Sequence, residues 1–268
     1  MPTILPHQSI GLVYSSALYT DSSVEKHFHI HYELVYVLEG EICVYADGKE
    51  YPLTEGDAIL LSPLSLHAYQ CTTPSLVFSA VFPDSLAKAY AEKHREETPS
   101  EPTFALPPTL RAYIHDEFFR TVPRNFGTST GVLPKPSNES LIQLFRAAST
   151  CVERFASYER RPQTELLLLR IVDYVKKSYL ADVSLVTLAQ DLGYAHEHIS
   201  RVLSKTLGVN FKTFVNRYRC EFATTLFSNK KLSMSQISDS CGFQSIRSFN
   251  RDFLAIYGKT PSDWRADR

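Results

Sequence analysis

Two stretches of this chain carry side chains whose types and spacing could do chemistry. In His27-Phe28-His29-Ile30-His31-Tyr32-Glu33, three imidazoles and a carboxylate fall on alternate positions. Alternate residues of an extended strand share a face, so His27, His29, His31 and Glu33 would point the same way. Imidazole nitrogen with carboxylate oxygen is a donor set that suits iron, manganese, zinc, nickel or copper. The same groups can hydrogen-bond a small organic ligand, or serve only as packed strand residues. The second stretch lies near the end of the chain. Ile246, Arg247, Asn250 and Arg251 fall on one side of a helical pattern whose other side is Phe249, Phe253 and Ile256. Arginine can pair bidentately with guanine, asparagine with adenine, and an apolar tip can touch a thymine methyl. A like pattern upstream sets His196, Glu197, Ser200, Arg201 and Lys205 opposite Ile199, Val202 and Leu203. Glu197 there repels phosphate but can accept a hydrogen bond from cytosine.

The histidines must be held by strands. His27 to Leu38 is rich in aromatic and β-branched residues and reads as one strand. Glu41 to Tyr45 and Lys49 to Leu53 flank Ala46-Asp47-Gly48, and Asp-Gly signals a hairpin turn. Ala58 to Leu61 and Leu76 to Phe82 are further short apolar runs. Strands so closely spaced point to a small sandwich or barrel. Helices are expected over Asp84 to Glu97, Leu110 to Arg120 and Glu139 to Arg160, with Pro-rich stretches at Thr98 to Thr109 and Val122 to Ser137. In the last helix Leu141, Leu144, Phe145, Ala148, Val152, Phe155 and Ala156 form a stripe that either joins the core or pairs two subunits.

From Thr164 the pattern is helical throughout. The unit of short helix, tight turn and second helix occurs twice, over Leu185 to Leu207 and Met234 to Tyr257. It turns at Gly193-Tyr194 and Gly242-Phe243, where glycine permits a left-handed backbone. A longer helix, Phe211 to Phe227, joins the two. Ser184, Ser233 (with Gln236 three residues on), Ser245 and Thr260-Pro261 supply N-terminal caps.

The formal net charge of −1 hides an asymmetry: −6 through Pro162 and +5 from Gln163 onward. A basic back half is what a polyanion partner requires. Five cysteines, never spaced Cys-x-x-Cys, argue against a disulfide framework or a zinc knuckle. Met1 to Ile10 lacks the basic-then-apolar pattern of a leader, and no apolar run approaches bilayer length, so a cytoplasmic, non-membrane protein is expected.

Ile237-Ser238-Asp239-Ser240-Cys241-Gly242-Phe243, Phe249-Asn250-Arg251-Asp252-Phe253 and Gly258-Lys259-Thr260-Pro261-Ser262-Asp263-Trp264-Arg265 together resemble the C-terminal signature of AraC/XylS-type transcription regulators. Leu188-Ala189, Gly208, Phe211, Arg219 and Ala223 match the same family's first unit and connecting helix. The resemblance implies two recognition helices entering successive major grooves. Carried across, its base-reading positions fall on His196, Glu197, Ser200 and Arg201, and on Ile246, Arg247, Asn250 and Arg251. The chain departs from the family at Ala195, where a capping serine is usual, at Leu203, and at Leu254 and Ala255, where lysines are frequent.

The front half resembles cupin domains. His27 to Gly40 is similar to their first motif, and Gly56-Asp57 through Pro63 to His67 to their second. In metal-dependent cupins these positions supply three histidines and one glutamate, here His27, His29, Glu33 and His67. Ser65 replaces a usual glycine, however, and the Pro63-x-x-x-His67 spacing follows AraC-type sensor domains, whose pockets usually hold a small organic effector. Tyr69 stands where such sensors place a ligand-contacting side chain.

The expected architecture is therefore α+β and multidomain. A cupin-like β-barrel (jelly roll) with flanking helices, residues 1–160, would bind effector and dimerise through helix 139–160. An all-α domain with two helix-turn-helix units, residues 164–268, would bind DNA. The expected partners are promoter DNA, a small-molecule effector such as a sugar or related metabolite, RNA polymerase and a second copy of the chain. No catalytic residue and no cofactor is called for. The competing reading is a metal-dependent cupin enzyme, an isomerase or dioxygenase with an accessory helical domain.

Overall fold

The structure, a computed structural model, describes residues 15–20, 23–71, 73–82, 84–119, 131–132 and 137–267. It divides into two compact units, one ending at Arg161 and the other beginning at Pro162. Among the described residues no helix is long and apolar enough to cross a membrane.

The first unit opens with eight strands: β1 (Ser15–Thr20), β2 (Val24–His27), β3 (Tyr32–Glu39), β4 (Glu41–Ala46), β5 (Lys49–Thr54), β6 (Asp57–Leu61), β7 (His67–Cys71) and β8 (Leu76–Phe82). There follow α1 (Asp84–Lys93), β9 (Glu97–Pro99), β10 (Thr103–Ala105), α2 (Pro108–Ile114), which runs into a π-helical turn at His115–Phe119, then β11 (Gly131–Val132), α3 (Asn138–Phe155) and β12 (Tyr158–Arg160). All pairings are antiparallel. One sheet has the order β2-β7-β4-β5, a second β10-β6-β3-β8-β1-β11, and β12 pairs with β9.

Alternation along β3 explains the layering. Val35 and Val37 meet Ile42, Val44, Leu53, Ile59, Leu61 and Tyr69 between the two large sheets. Tyr32, Leu34 and Tyr36 turn the other way, onto Phe78, Phe82 and the helices. Both faces of β3 are therefore buried, which is why it reads as one apolar run. The hairpin forms at the expected place: Ala46 pairs with Lys49, and Asp47 and Gly48 between them have φ of +51° and +83°, the two left-handed residues of a type I′ turn.

Several expectations are corrected. Among the described residues no strand pair joins the two large sheets, so the unit is a two-sheet sandwich without hydrogen-bonded closure into a barrel. His27 to Leu38 is not one strand: β2 belongs to one sheet and β3 to the other, and Phe28 to His31 cross between them. The first helix stops at Lys93 because Glu97–Pro99 is drawn out to pair with β12. For the same reason α3 ends at Phe155, five residues before Arg160, with Ala156 already extended. The Pro-rich stretch 98–109 contributes to β9 and β10, while most of 122–137 lies outside the described residues.

The second unit comprises α4 (Gln163–Ser178), α5 (Leu185–Leu192), α6 (His196–Leu207), α7 (Phe211–Leu226), α8 (Met234–Ser240), α9 (Ile246–Tyr257) and α10 (Pro261–Ala266). The caps are as the sequence implies. Ser184 with Thr187, and Ser233 with Gln236, form reciprocal capping boxes. Ser245 caps α9 and Thr260 caps α10, while Ala195 offers α6 no side-chain cap. Asn210 adds a cap for α7. The α7 helix ties the halves together: Arg219 donates to the carbonyls of Tyr179 (2.7 Å) and Ala181 (2.8 Å), and Asn216 to Asp252 of α9 (2.5 Å).

A candidate ligand chamber and a candidate nucleic-acid interface

Between the sheets of the first unit, His27, His29, Glu33 and His67 bring one ligand atom each to within 4.8 Å of one another. All four are buried. His27 closes β2 opposite His67, the first residue of β7, and their rings meet edge to face at 4.2 Å. Glu33 comes from the inward face of β3. His29 comes from the crossover, which is free to turn its ring inward because it belongs to neither sheet. His31 does not join the group; its carbonyl serves as a partner for His29.

The backbone orients the rings. Nδ1 of His27 lies 2.8 Å from the carbonyl of Glu25, Nδ1 of His67 is 2.9 Å from that of Ser65, and Nδ1 of His29 is 3.0 Å from that of His31. A carbonyl only accepts, so each Nδ1 is set to donate and each Nε2 is turned inward. The His29 and His67 Nε2 atoms stand 2.7 and 3.3 Å from Glu33 Oε2. The other carboxylate oxygen, Oε1, accepts from the Tyr69 hydroxyl at 2.6 Å and from the Ser79 hydroxyl. Burial, with neighbouring His67 second, lowers the His27 pKa to about 4. His29 is also lowered, chiefly by burial. Glu33 is held well below the usual carboxylate range, because its close approach to His29 and His67 outweighs the burial that opposes it. Near neutral pH the ionised Glu33 therefore faces the neutral rings of His27 and His29.

Two supporting features leave little trace in the sequence. Ser79 lies opposite Val35 across β3 and β8, on the face and within diagonal reach of Glu33. Leu64, a non-glycine residue at φ +70°, donates its N–H to the carbonyl of His29 at 2.8 Å and docks the loop before β7 against the crossover. Tyr69, expected to contact a ligand, gives its hydroxyl to Glu33 and stacks its ring on His67 at 5.7 Å.

In the second unit α6 buries Ile199, Val202, Leu203 and Leu207, and α9 buries Phe249 and Phe253. Burying side chains of this size stabilises each helix's seat by roughly 1.5–3 kcal/mol apiece. The opposite faces are open: His196, Glu197, Arg201 and Lys205 on α6, with Ser200 half-buried, and Ile246, Arg247, Asn250 and Arg251 on α9. Leu254 and Ala255 are exposed too. His196 Nε2 lies 3.3 Å from Glu197 Oε1. Arg251 Nε lies 2.7 Å from Asp252 Oδ1, whose other oxygen is the one held by Asn216. The sequence singled out Arg251 but not this brace behind it.

Comparison with known proteins adds to this geometry. Residues 9–167 match the AraC-like ligand binding domain, and residues 188–267 match a helix-turn-helix domain. The uncharacterized HTH-type transcriptional regulator YfiF of Bacillus subtilis (strain 168) is 26% identical over 256 residues, 90% of this chain and 78% of that one. An uncharacterized HTH-type transcriptional regulator of Staphylococcus aureus is 32% identical over 99 residues, which span 37% of this chain and 13% of that protein. Among solved structures, fatty-acid-bound ToxT from Vibrio cholerae strain SCE256 aligns with 94% of each chain at a TM-score of 0.51 and 12% identity, a likeness of fold.

Proposed function

The chain belongs to the AraC family of ligand-regulated transcription regulators, and from that premise we propose that it reads promoter DNA with α6 and α9 under the control of a small polar ligand taken by the chamber of His27, His29, Glu33, His67 and Tyr69. The observation that carries the DNA-binding half is the repeated construction of α6 and α9. Each is seated by an apolar stripe in its own hairpin, and each turns out a face of groups that pair with base edges. His196, Glu197, Ser200, Arg201 and Lys205 then contact one groove, and Ile246, Arg247, Asn250 and Arg251 the next.

The ligand half rests on a buried, backbone-oriented set of polar groups in a unit that matches a ligand-binding domain. A sugar or related metabolite is the organic ligand that the family resemblance brings to mind; ToxT, of similar fold, holds a fatty acid. Ligand binding would act by coupling to the DNA-binding unit, and so to RNA polymerase at the promoter, without covalent chemistry. A homodimer fits this role. The stripe of Leu141, Leu144, Phe145, Ala148 and Val152 is consumed by the core, however, so a second copy would meet the outward face of α3 at Gln143, Arg146, Thr150 and Phe155. Such a regulator works in the cytoplasm.

The test is discrimination. Full-length chain is mixed with DNA from upstream of its own gene and with the same length of scrambled sequence, at one salt concentration. Tighter binding to the former, lost on Arg247→Ala, supports the reading. Equal affinity for both sequences defeats it.

A further inference from the structure

We propose that Asn216 is a positioning residue for base reading: acting through Asp252, it sets the direction in which α9 presents the Arg251 guanidinium. This rests on the reading of α9 as a recognition helix. It adds a residue of the connecting helix α7 that is itself too buried to reach DNA.

Three side chains run in contact from the core of the second unit to its surface. Asn216 is 4% exposed and sits on α7, where Phe214, Val215 and Tyr218 are buried too. Its Nδ2 donates to Asp252 Oδ2 at 2.5 Å. The other oxygen, Oδ1, accepts from Arg251 Nε at 2.7 Å. Asp252 is half-buried, and Arg251 is open to solvent. Successive residues of a helix are about 100° apart, so Asp252 lies on the edge of α9. To one side is the outward face of Arg247, Asn250 and Arg251, and to the other the seat made by Phe249 and Phe253.

The division of the two oxygens decides what Arg251 has left to offer. A carboxylate left to itself commonly clasps arginine with both oxygens and takes two parallel N–H groups. Here one oxygen is engaged from behind by Asn216, and only Nε is held. The four N–H groups on Nη1 and Nη2 remain, and their outer pair is the end-on fork that matches N7 and O6 of guanine. Arg251 is thus directed before DNA arrives, so less rotamer freedom is lost on binding. The anchor cannot swing, because Asn216 is enclosed. Its helix is fixed three residues on, where Arg219 donates to the carbonyls of Tyr179 and Ala181.

The first recognition helix lacks this device. The residue that stands to Arg201 as Asp252 stands to Arg251 is Val202, which is buried, and among the described residues no carboxylate pairs with Arg201. The two helices are otherwise built alike, so α9 presents the more sharply directed arginine.

The experiment uses the full chain and upstream DNA fragments in which each base pair is exchanged in turn, with scrambled DNA of the same length as reference. Arg251→Ala first identifies the base pairs that Arg251 reads, as those whose exchange no longer matters. We expect Asn216→Ala to relax discrimination about 10-fold at those same base pairs and to leave the others unchanged. Added to Arg251→Ala, it should change nothing further, because its effect passes through that side chain. Asp252→Ala should relax the same pairs while binding scrambled DNA more tightly, since it removes a negative charge beside the phosphates. Trp264 fluorescence in urea identifies any variant that fails to fold. Asn216→Ser, which withdraws the amide but leaves a hydroxyl, then replaces the alanine, and Asp252→Ala carries the test beside it. A folded Asn216 variant that weakens binding evenly across the fragments, or still weakens it in the Arg251→Ala background, is a structural tie only and overturns the proposal. An unchanged pattern in folded Asp252→Ala overturns it too. So does an Arg251→Ala that relaxes no base pair, with the regulator reading intact as long as the chain prefers upstream to scrambled DNA. Absence of that preference in the unaltered chain defeats both.

Discussion

The Ser65 hydroxyl donates to Asp47 Oδ2 at 2.7 Å, and the backbone N–H of Leu66 donates to Oδ1 of the same carboxylate at 2.8 Å. A serine that departs from the usual cupin glycine is thereby a fastening. It ties the loop before His67 to the tip of the β4–β5 hairpin, where the Asp47 N–H also reaches the carbonyl of Leu66 at 3.0 Å. One residue makes the turn and holds the segment that aims an inward histidine. Asp47→Ala should cost about 2–3 kcal/mol, from two hydrogen bonds and an alanine forced to positive φ. Asp47→Asn keeps the turn and an acceptor, and should cost less than about 1 kcal/mol. Urea titrations followed by far-UV circular dichroism compare the two, and equal midpoints would show that the fastening does nothing.

Arg247 and Asn250 project from α9 with no partner reaching them from the rest of the unit among the contacts described, whereas Arg251 is braced by Asp252. If α9 reads bases, Arg247→Ala and Asn250→Ala should each cost roughly 1–3 kcal/mol on the cognate site and relax discrimination at one or two base pairs. Both seats are distant from the hydrophobic stripe, so thermal stability should hold. Unchanged ratios of cognate to scrambled affinity in both variants would mean that α9 is not a reader.

The helical unit was readable because each of its signals is local. Cap, stripe and left-handed glycine recur within four or five residues, and Ser184, Ser233, Ser245 and Thr260 cap where their spacing says. The first unit depends on partners distant in sequence. Nothing near His29 announces that Phe28 to His31 leave one sheet for the other, and the end of α3 is decided by β9, some sixty residues earlier. The chamber was partly visible, since His27, His29, Glu33 and His67 stand in motif spacing. Ser79 and the Asp47–Ser65 fastening were not, because only cross-strand register brings them there. Spacing marks the stripe on α3 as apolar but does not tell core from dimer interface, and Phe155, in the same stripe, is left exposed.

The two turns of the helix-turn-helix units look alike in sequence and should respond differently to the same change. Gly193 and Gly242 have φ of +73° and +77°. A Cβ at Gly193 would meet nothing within 4 Å, whereas at Gly242 it would lie 2.7 Å from the carbonyl oxygen of Leu180. Gly193→Ala should thus cost only the left-handed backbone, about 1–2 kcal/mol. Gly242→Ala adds a clash with main chain that cannot rotate away, and should exceed Gly193→Ala by at least about 1 kcal/mol. The single tryptophan, Trp264, packs in this unit against Phe253 and Tyr257, so its fluorescence during urea unfolding reports the difference directly. Equal losses would mean that the Leu180 carbonyl moves aside.

Cys220 and Cys241 lie in the core of the second unit with Phe227, Ile237, Phe243, Phe249 and Phe253. Burial pushes the Cys241 thiol up to about 12 and raises that of Cys220 further. Thiolate is the reacting species, so at pH 8 Cys241 is held almost wholly as the unreactive thiol even before access is considered. Cys43, Cys71 and Cys151 are half-buried and meet solvent. An aromatic disulfide reagent added to folded chain at pH 8 should therefore modify at most these three. Cys220 and Cys241 should wait for the helical unit to open, and should be released together in urea with the change in Trp264 fluorescence, because they share its core. Peptide mapping after a timed quench assigns each site. Modification of Cys220 or Cys241 at the pace of Cys43 in native buffer would show that this core opens without unfolding, and that α8 and α9 are not held as one body.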